Sequence, residues 1–154
     1  MKTTVYNLLQ WTWGLPQTLI GALIFLMNRK QPHYSYHGSR VTVWKSKSSL
    51  SMGAFVFVTD DPFFYYDGKR AEYTCEAFRN MLLVHEYGHT LQSLIFGPLY
   101  LLAVGVPSVA WSFWPPCVKK REREHISYFS VYPERWANRL GERFTKDASI
   151  GEPV

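Results

Sequence analysis

The sequence predicts an α+β fold, mostly helical with a small antiparallel sheet, in a single domain of 154 residues. Three observations predict it. Residues that face a common side recur at helical spacing through Phe78, Leu82, His85 and His89, and again through Trp136, Leu140 and Phe144. β-branched and aromatic residues crowd two short runs, Val41–Trp44 and Gly53–Val58. Two stretches, Val5–Met27 and Leu94–Trp114, carry no charged residue over 23 and 21 positions.

Composition narrows the class further. Ten Tyr, ten Phe and six Trp against 19% charged residues describe a chain suited to an interface. The formal net charge of +5 does not imply nucleic acid, because Lys and Arg flank the apolar runs instead of threading an aromatic platform. That distribution suits anionic lipid head groups. Cys75 and Cys117 form no C-x-x-C pair, which excludes zinc-ribbon and thioredoxin-type readings and leaves a disulfide open.

In chain order, residues 5–27 lie between Lys2 and Arg29-Lys30 and are long enough to cross a bilayer core of about 30 Å as one helix. A retained membrane helix is expected over a cleaved signal peptide, given Pro16 at mid-segment, Trp11 and Trp13 early, and no small-x-small site before Arg29. Asn7, Gln10, Thr12, Gln17 and Thr18 leave open a helix lying in the interface plane. Residues 41–58 read as an antiparallel β-hairpin joined through Ser46–Ser49.

A helix is expected over residues 72–96, ending before Gly97-Pro98. Gly88 costs it about 1 kcal/mol relative to alanine, so something must approach its backbone closely there. Residues 97–114 read as an apolar hairpin broken at Gly97-Pro98 and Gly105-Val106-Pro107. Such a hairpin keeps the basic clusters Arg29–Lys47 and Lys119–Arg123 on one, cytoplasmic, side of a membrane. Residues 132–144 form a last helix, with Pro133 in its first turn.

The chemistry resides in His85-Glu86-Tyr87-Gly88-His89. Four-residue spacing stacks two imidazoles on one helix face, where they can grip one metal ion, while the Glu86 carboxylate can reach a metal-bound water. Zinc is the expected ion. A catalytic zinc needs a third protein ligand, and Glu134, near the start of the last helix, is the best candidate; Asn138, one turn on, can support a ligating histidine. Glu122 and Glu124 sit in a charge cluster that reads as a solvated face, and His125 is a candidate for a ligand or for catalytic stabilisation of an oxyanion, ahead of Tyr128 and Tyr132.

His85-Glu86-Tyr87-Gly88-His89 followed by Glu134-Arg135-Trp136-Ala137-Asn138 resembles the gluzincin peptidases, in which the glutamate of a second-helix E-x-x-x-D motif completes H-E-x-x-H. Asn138 stands where that family has an aspartate. HEYGHTLQS with GPLYLLAVGVPS and YPERWANRLG also resembles a group of short bacterial membrane-associated H-E-x-x-H proteins. Intramembrane site-2 peptidases share the motif beside apolar segments, but their aspartate-bearing third-ligand motif is not present. The expectation is therefore an H-E-x-x-H helix packed against a second, ligand-bearing helix, with apolar membrane-associated segments around them. The expected activity is that of a membrane-associated zinc peptidase taking a peptide or protein substrate, which an edge strand beside the helix could hold in extended form. The alternatives are a non-catalytic membrane-associated protein whose metal is structural, and a fold without metal.

Overall fold

A single helix, α3 (Cys75–Phe96), forms the axis of the molecule, its middle buried on every side although it carries the motif and the polar Thr90, Gln92 and Ser93. Thr74 caps its start by accepting a hydrogen bond from the Ala77 amide, so the helix begins three residues later than the sequence pattern suggests. Every residue from Leu82 to Ser93 is buried. The computed structural model describes residues 2–151, and 63% of the chain is helical around a four-stranded mixed sheet.

The last helix, α6 (Tyr132–Thr145), crosses α3 at very close range. A Cβ on Gly88 would collide with the Ala137 carbonyl oxygen, and one on Gly141 would collide with the carbonyl of Val84. Two glycines, one from each helix, therefore let backbone touch backbone. This close approach brings short side chains on the two helices within reach of each other.

The sheet comprises β1 (His33–Tyr36), β2 (Ser39–Trp44), β3 (Leu50–Met52) and β4 (Phe55–Thr59), in the order β1-β2-β4-β3. The two runs expected to form an antiparallel hairpin instead pair in parallel, Val41 opposite Val56 and Val43 opposite Val58. The chain first makes β3, which turns back antiparallel onto the far side of β4. The physical reason is burial on both faces. Val41, Val56 and Val58 pack with Leu83 of α3, while Ala54, Phe55 and Phe57 pack against the opposite layer. Full burial of each such side chain is worth about 1.5–3 kcal/mol.

That opposite layer is the N-terminal segment, which is two helices and not one span. α1 (Thr3–Thr12) and α2 (Leu15–Met27) break at Trp13-Gly14, and Pro16 falls in the first turn of α2, where a missing amide costs nothing. Gln10, Gln17 and Thr18 turn inward and are completely buried. Gln10 Nε2 donates to the Thr90 carbonyl (2.9 Å), Ser93 Oγ donates to Gln10 Oε1 (3.0 Å), and Gln17 Nε2 donates to Ser93 Oγ (2.7 Å) and the Gly97 carbonyl (3.1 Å). The polar residues fasten the pair to α3, and the apolar residues face outward.

After Gly97 the chain also departs from the expected hairpin. It passes through a short 3₁₀ turn (97–99) and a widened π turn (Leu101–Gly105) directly into α4 (Val106–Phe113), so the break expected at Gly105-Val106-Pro107 does not occur. Pro107 lacks an amide hydrogen and its ring would strike a carbonyl one turn back; a widened turn accommodates both. The real break is at Trp114, held extended by Pro115, where α5 (Pro115–Glu124) leaves at 66°. Among the described residues no single helix is long and apolar enough to cross a membrane, although the bent pair Leu101–Phe113 and Pro115–Glu124 meets that test taken together.

Candidate metal centre

The glycine crossing of α3 and α6 brings His85 and His89 from one helix against Glu134 from the other. Glu134 Oε2 lies 3.2 Å from His85 Nε2 and 3.3 Å from His89 Nε2, with all three residues buried. Each imidazole is oriented through its other nitrogen. His85 Nδ1 is 2.6 Å from Asn138 Oδ1, an acceptor, so the ring donates there and turns its Nε2 lone pair inward. His89 Nδ1 is 2.7 Å from Gln92 Oε1. The Gln92 amide cannot be reversed, because its Nε2 donates to the Pro133 carbonyl at 2.8 Å. Gln92 therefore fixes the His89 tautomer and, in the same contact, ties α3 to the first turn of α6.

The electrostatics are those of a carboxylate held between two imidazoles. Burial opposes charge on His89, but the Glu134 carboxylate outweighs it by charge and hydrogen bond and lifts His89 to about 9. Burial would likewise raise Glu134, yet His89 and His85 hold it below the usual carboxylate range. Glu134 Oε1 is buried without a partner, an orphaned acceptor of the kind that marks a place for an ion or a water. The donor set and its spacing fit a transition metal. Ligand atoms about 2.0–2.1 Å from one ion in tetrahedral arrangement lie roughly 3.3 Å apart, which matches the separations from Glu134 to the two rings. Two imidazoles and one carboxylate are three protein ligands, and among the described residues no fourth His, Cys, Asp or Glu joins them. Three is the number that leaves a coordination position open.

That cluster forms one wall of a cavity of about 640 Å³. Glu86 lines it from α3; burial pushes its carboxyl upward, His85 and His89 draw it back down, and Glu134 adds to the rise. The edge strand β3 also lines it, with the buried Ser51 hydroxyl beside Glu86 and Tyr100. Tyr100, Tyr128, Arg121 and Lys47 belong to its polar lining.

His125 is not brought into this cavity. It terminates α5 in the left-handed conformation (φ 50°) and lines a neighbouring cavity with Tyr66 and Met81. Tyr100 and Tyr128 line the cavity that His125 does not reach; Ser112 Oγ donates to the Ser108 carbonyl (2.9 Å), so the Tyr128 hydroxyl, 3.0 Å away, donates to Ser112 Oγ. Tyr132 is partly exposed and stacks on Trp136, and Glu122 and Glu124 lie on the solvated face of α5, where Glu124 pairs with Arg123 at 2.6 Å. Gln92 was legible from its place three residues after His89, on the same helix face. Ser51, Tyr100 and Arg121 have no such local signal and are assembled only by the tertiary fold. No family model, curated protein or solved structure matches this chain.

Proposed function

We propose that the chain is a membrane-associated zinc metallopeptidase of gluzincin-like construction. The observation that carries the reading is the buried His85, His89 and Glu134 set with its open position, facing a cavity that Glu86 and an edge strand share. The chemistry supplied on zinc binding is Lewis acidity and acidification of a water. Glu86, the one carboxylate of the cavity outside the ligand set, takes the water's proton and returns it to the leaving amine. Tyr100 donates a hydrogen bond toward the oxyanion that develops on the scissile carbonyl, while the Tyr128 hydroxyl is held by Ser112. β3, paired only with β4 among the described residues, offers its free edge to an extended peptide. Glu86→Gln should keep one zinc per chain and lose hydrolysis by 10²-fold or more, on the order expected for a missing general base. Undiminished cleavage by that variant overturns the assignment of the base, and a site closed by four protein ligands overturns catalysis in favour of a structural metal.

The membrane part of the reading rests on the inverted N-terminal helices. Their outer face exposes Leu8, Trp11, Leu19, Leu23 and Leu26, and beyond Gly97, against which Trp13 packs, the chain exposes Leu99, Leu102, Val106 and Phe113. Lys2, Arg29 and Lys30 bracket the first stretch, and Lys119 and Lys120 follow the second. Apolar faces between basic residues suit helices lying in the plane of an anionic bilayer. The protein should sediment with vesicles containing phosphatidylserine and bind neutral vesicles more weakly; failure to sediment with either removes the membrane from the account.

A further inference from the structure

Resting on the peptidase reading of the same cavity, we propose that Arg121 is a substrate-binding residue that receives a carboxylate of the peptide and so sets which peptides the site accepts. Arg121 reaches the cavity from α5, the helix that Pro115 turns away from α4. Its guanidinium is held between two rings, 5.5 Å from the centre of Trp111 and 5.4 Å from that of Tyr128. Its Nε is buried and has no hydrogen-bond partner, and its one recorded hydrogen bond is a long one, 3.5 Å from Nη2 to the Ser112 carbonyl. No carboxylate pairs with it among the described residues.

A partly buried cation without an anion is unusual, because removing charge from water is costly unless it is paired. Aromatic packing alone does not explain the placement, since it leaves the buried Nε–H donor unused and the positive charge without a partner at the cavity wall. The rest of the lining carries the same imbalance. Its acids are Glu134, which belongs to the metal cluster, and Glu86 beside it, neither of them paired with Arg121, whereas the remaining charged groups are Arg121 and Lys47, whose Nζ rests over Phe64 at 4.1 Å. A guanidinium fork fixed by two rings is suited to a carboxylate, which it can meet with paired hydrogen bonds. Tyr128 packs against the Arg121 guanidinium and lines the cavity that holds the metal cluster, so a peptide anchored at Arg121 lies in the cavity that Glu86 also lines. In the hydrolysis itself the C–N bond breaks, the water oxygen bonds to the acyl carbon, and the amine nitrogen gains the proton; Arg121 exchanges none of these atoms.

The carboxylate can belong to the peptide's C-terminus or to an acidic side chain, and binding to the full-length Glu86→Gln protein loaded with zinc separates the two. The probes are acetyl-Ala-Ala-Phe with a free carboxylate, the same peptide as its C-terminal amide, and acetyl-Ala-Asp-Phe amide. The free acid should bind about tenfold or more tightly than the plain amide, as expected for a hydrogen-bonded charge pair. A gain with the aspartyl amide instead identifies a side-chain carboxylate and equally supports the proposal. Adding Arg121→Gln should erase the preference, and Arg121→Lys should restore part of it. Equal affinity for all three probes in the Glu86→Gln protein overturns the proposal, as does a preference that survives Arg121→Gln. If Arg121→Gln does not fold, the probe comparison and the Arg121→Lys variant still decide. Rates of the protein with Glu86 intact distinguish the two readings: a carboxylate preference in binding without any hydrolysis sinks the peptidase and leaves the anion site, while equal hydrolysis of acid and amide does the reverse.

Discussion

The α3–α6 crossing and the outward face of α1, α2 and residues 95–114 reverse the usual placement of polar and apolar groups. At the crossing, two histidines, two glutamates, Asn138 and Gln92 are buried together. On the outward face, leucines, tryptophans and phenylalanines are exposed while Gln10, Gln17 and Thr18 are buried beneath them. Soluble domains bury polar groups only where each finds a partner, and rarely leave contiguous apolar surface uncovered. The difference teaches that the two regions pose opposite demands: the crossing gathers buried polar groups around a site that could hold a metal, whereas the outward face leaves apolar side chains uncovered among the described residues.

The largest expected effect breaks the crossing. Gly88→Ala gains about 1 kcal/mol of helix propensity but drives a methyl into the Ala137 carbonyl, and overpacking of backbone costs about 3 kcal/mol. The net loss should appear as a lowered denaturation midpoint, with zinc retention falling in parallel because Glu134 and Asn138 move with α6. A variant as stable as the parent would mean that the helices do not meet at these glycines. Next, Gln92→Ala frees the His89 tautomer and should weaken zinc binding by roughly 10–100-fold, measured by competition with a chelator. Unchanged affinity would show that the Gln92 contact is packing alone.

Smaller effects sharpen the contrast between the two regions. Gln10→Leu, although it adds apolar surface, leaves the Thr90 carbonyl and Ser93 hydroxyl short of partners and should cost about 1–3 kcal/mol in chemical denaturation. Leu23→Gln, at a position 63% exposed, should change stability in water by no more than about 0.5 kcal/mol while reducing vesicle binding. The opposite ranking, with Leu23 the costly position, would mean that the outward face is packed against protein and not lipid.

The sequence made the two long helices legible because both carry strong helical periodicity with one clear end each, Gly97-Pro98 for the first and Pro133 for the last, whereas the periodicity does not register the Thr74 cap and starts the first helix three residues early. His85, Glu86 and His89 were legible from spacing, and Glu134 and Asn138 from residue type at one-turn separation. Strand direction was not, because parallel pairing of β2 with β4 is fixed by α2 and α3 covering both faces. One signal was present: Ala54–Val58 is uniformly apolar and does not alternate, the pattern of a strand buried on both sides. The single span expected over residues 5–27 rests on uncharged length, and Gln10, Gln17 and Thr18 read only as the polar side of an in-plane helix; neither reading contains the break at Trp13-Gly14 or the burial of these residues against α3. His125 was favoured by residue type alone, and type carries no information about which cavity the end of α5 faces.

The central claim is that His85, His89 and Glu134 hold one metal ion with a position left open beside Glu86. A crystal structure of the zinc-loaded protein tests it most directly. The account predicts a single ion on His85 Nε2, His89 Nε2 and Glu134, with its fourth position facing the cavity and Glu86 not a ligand. An ion bound elsewhere, or a fourth protein ligand closing the site, would contradict it.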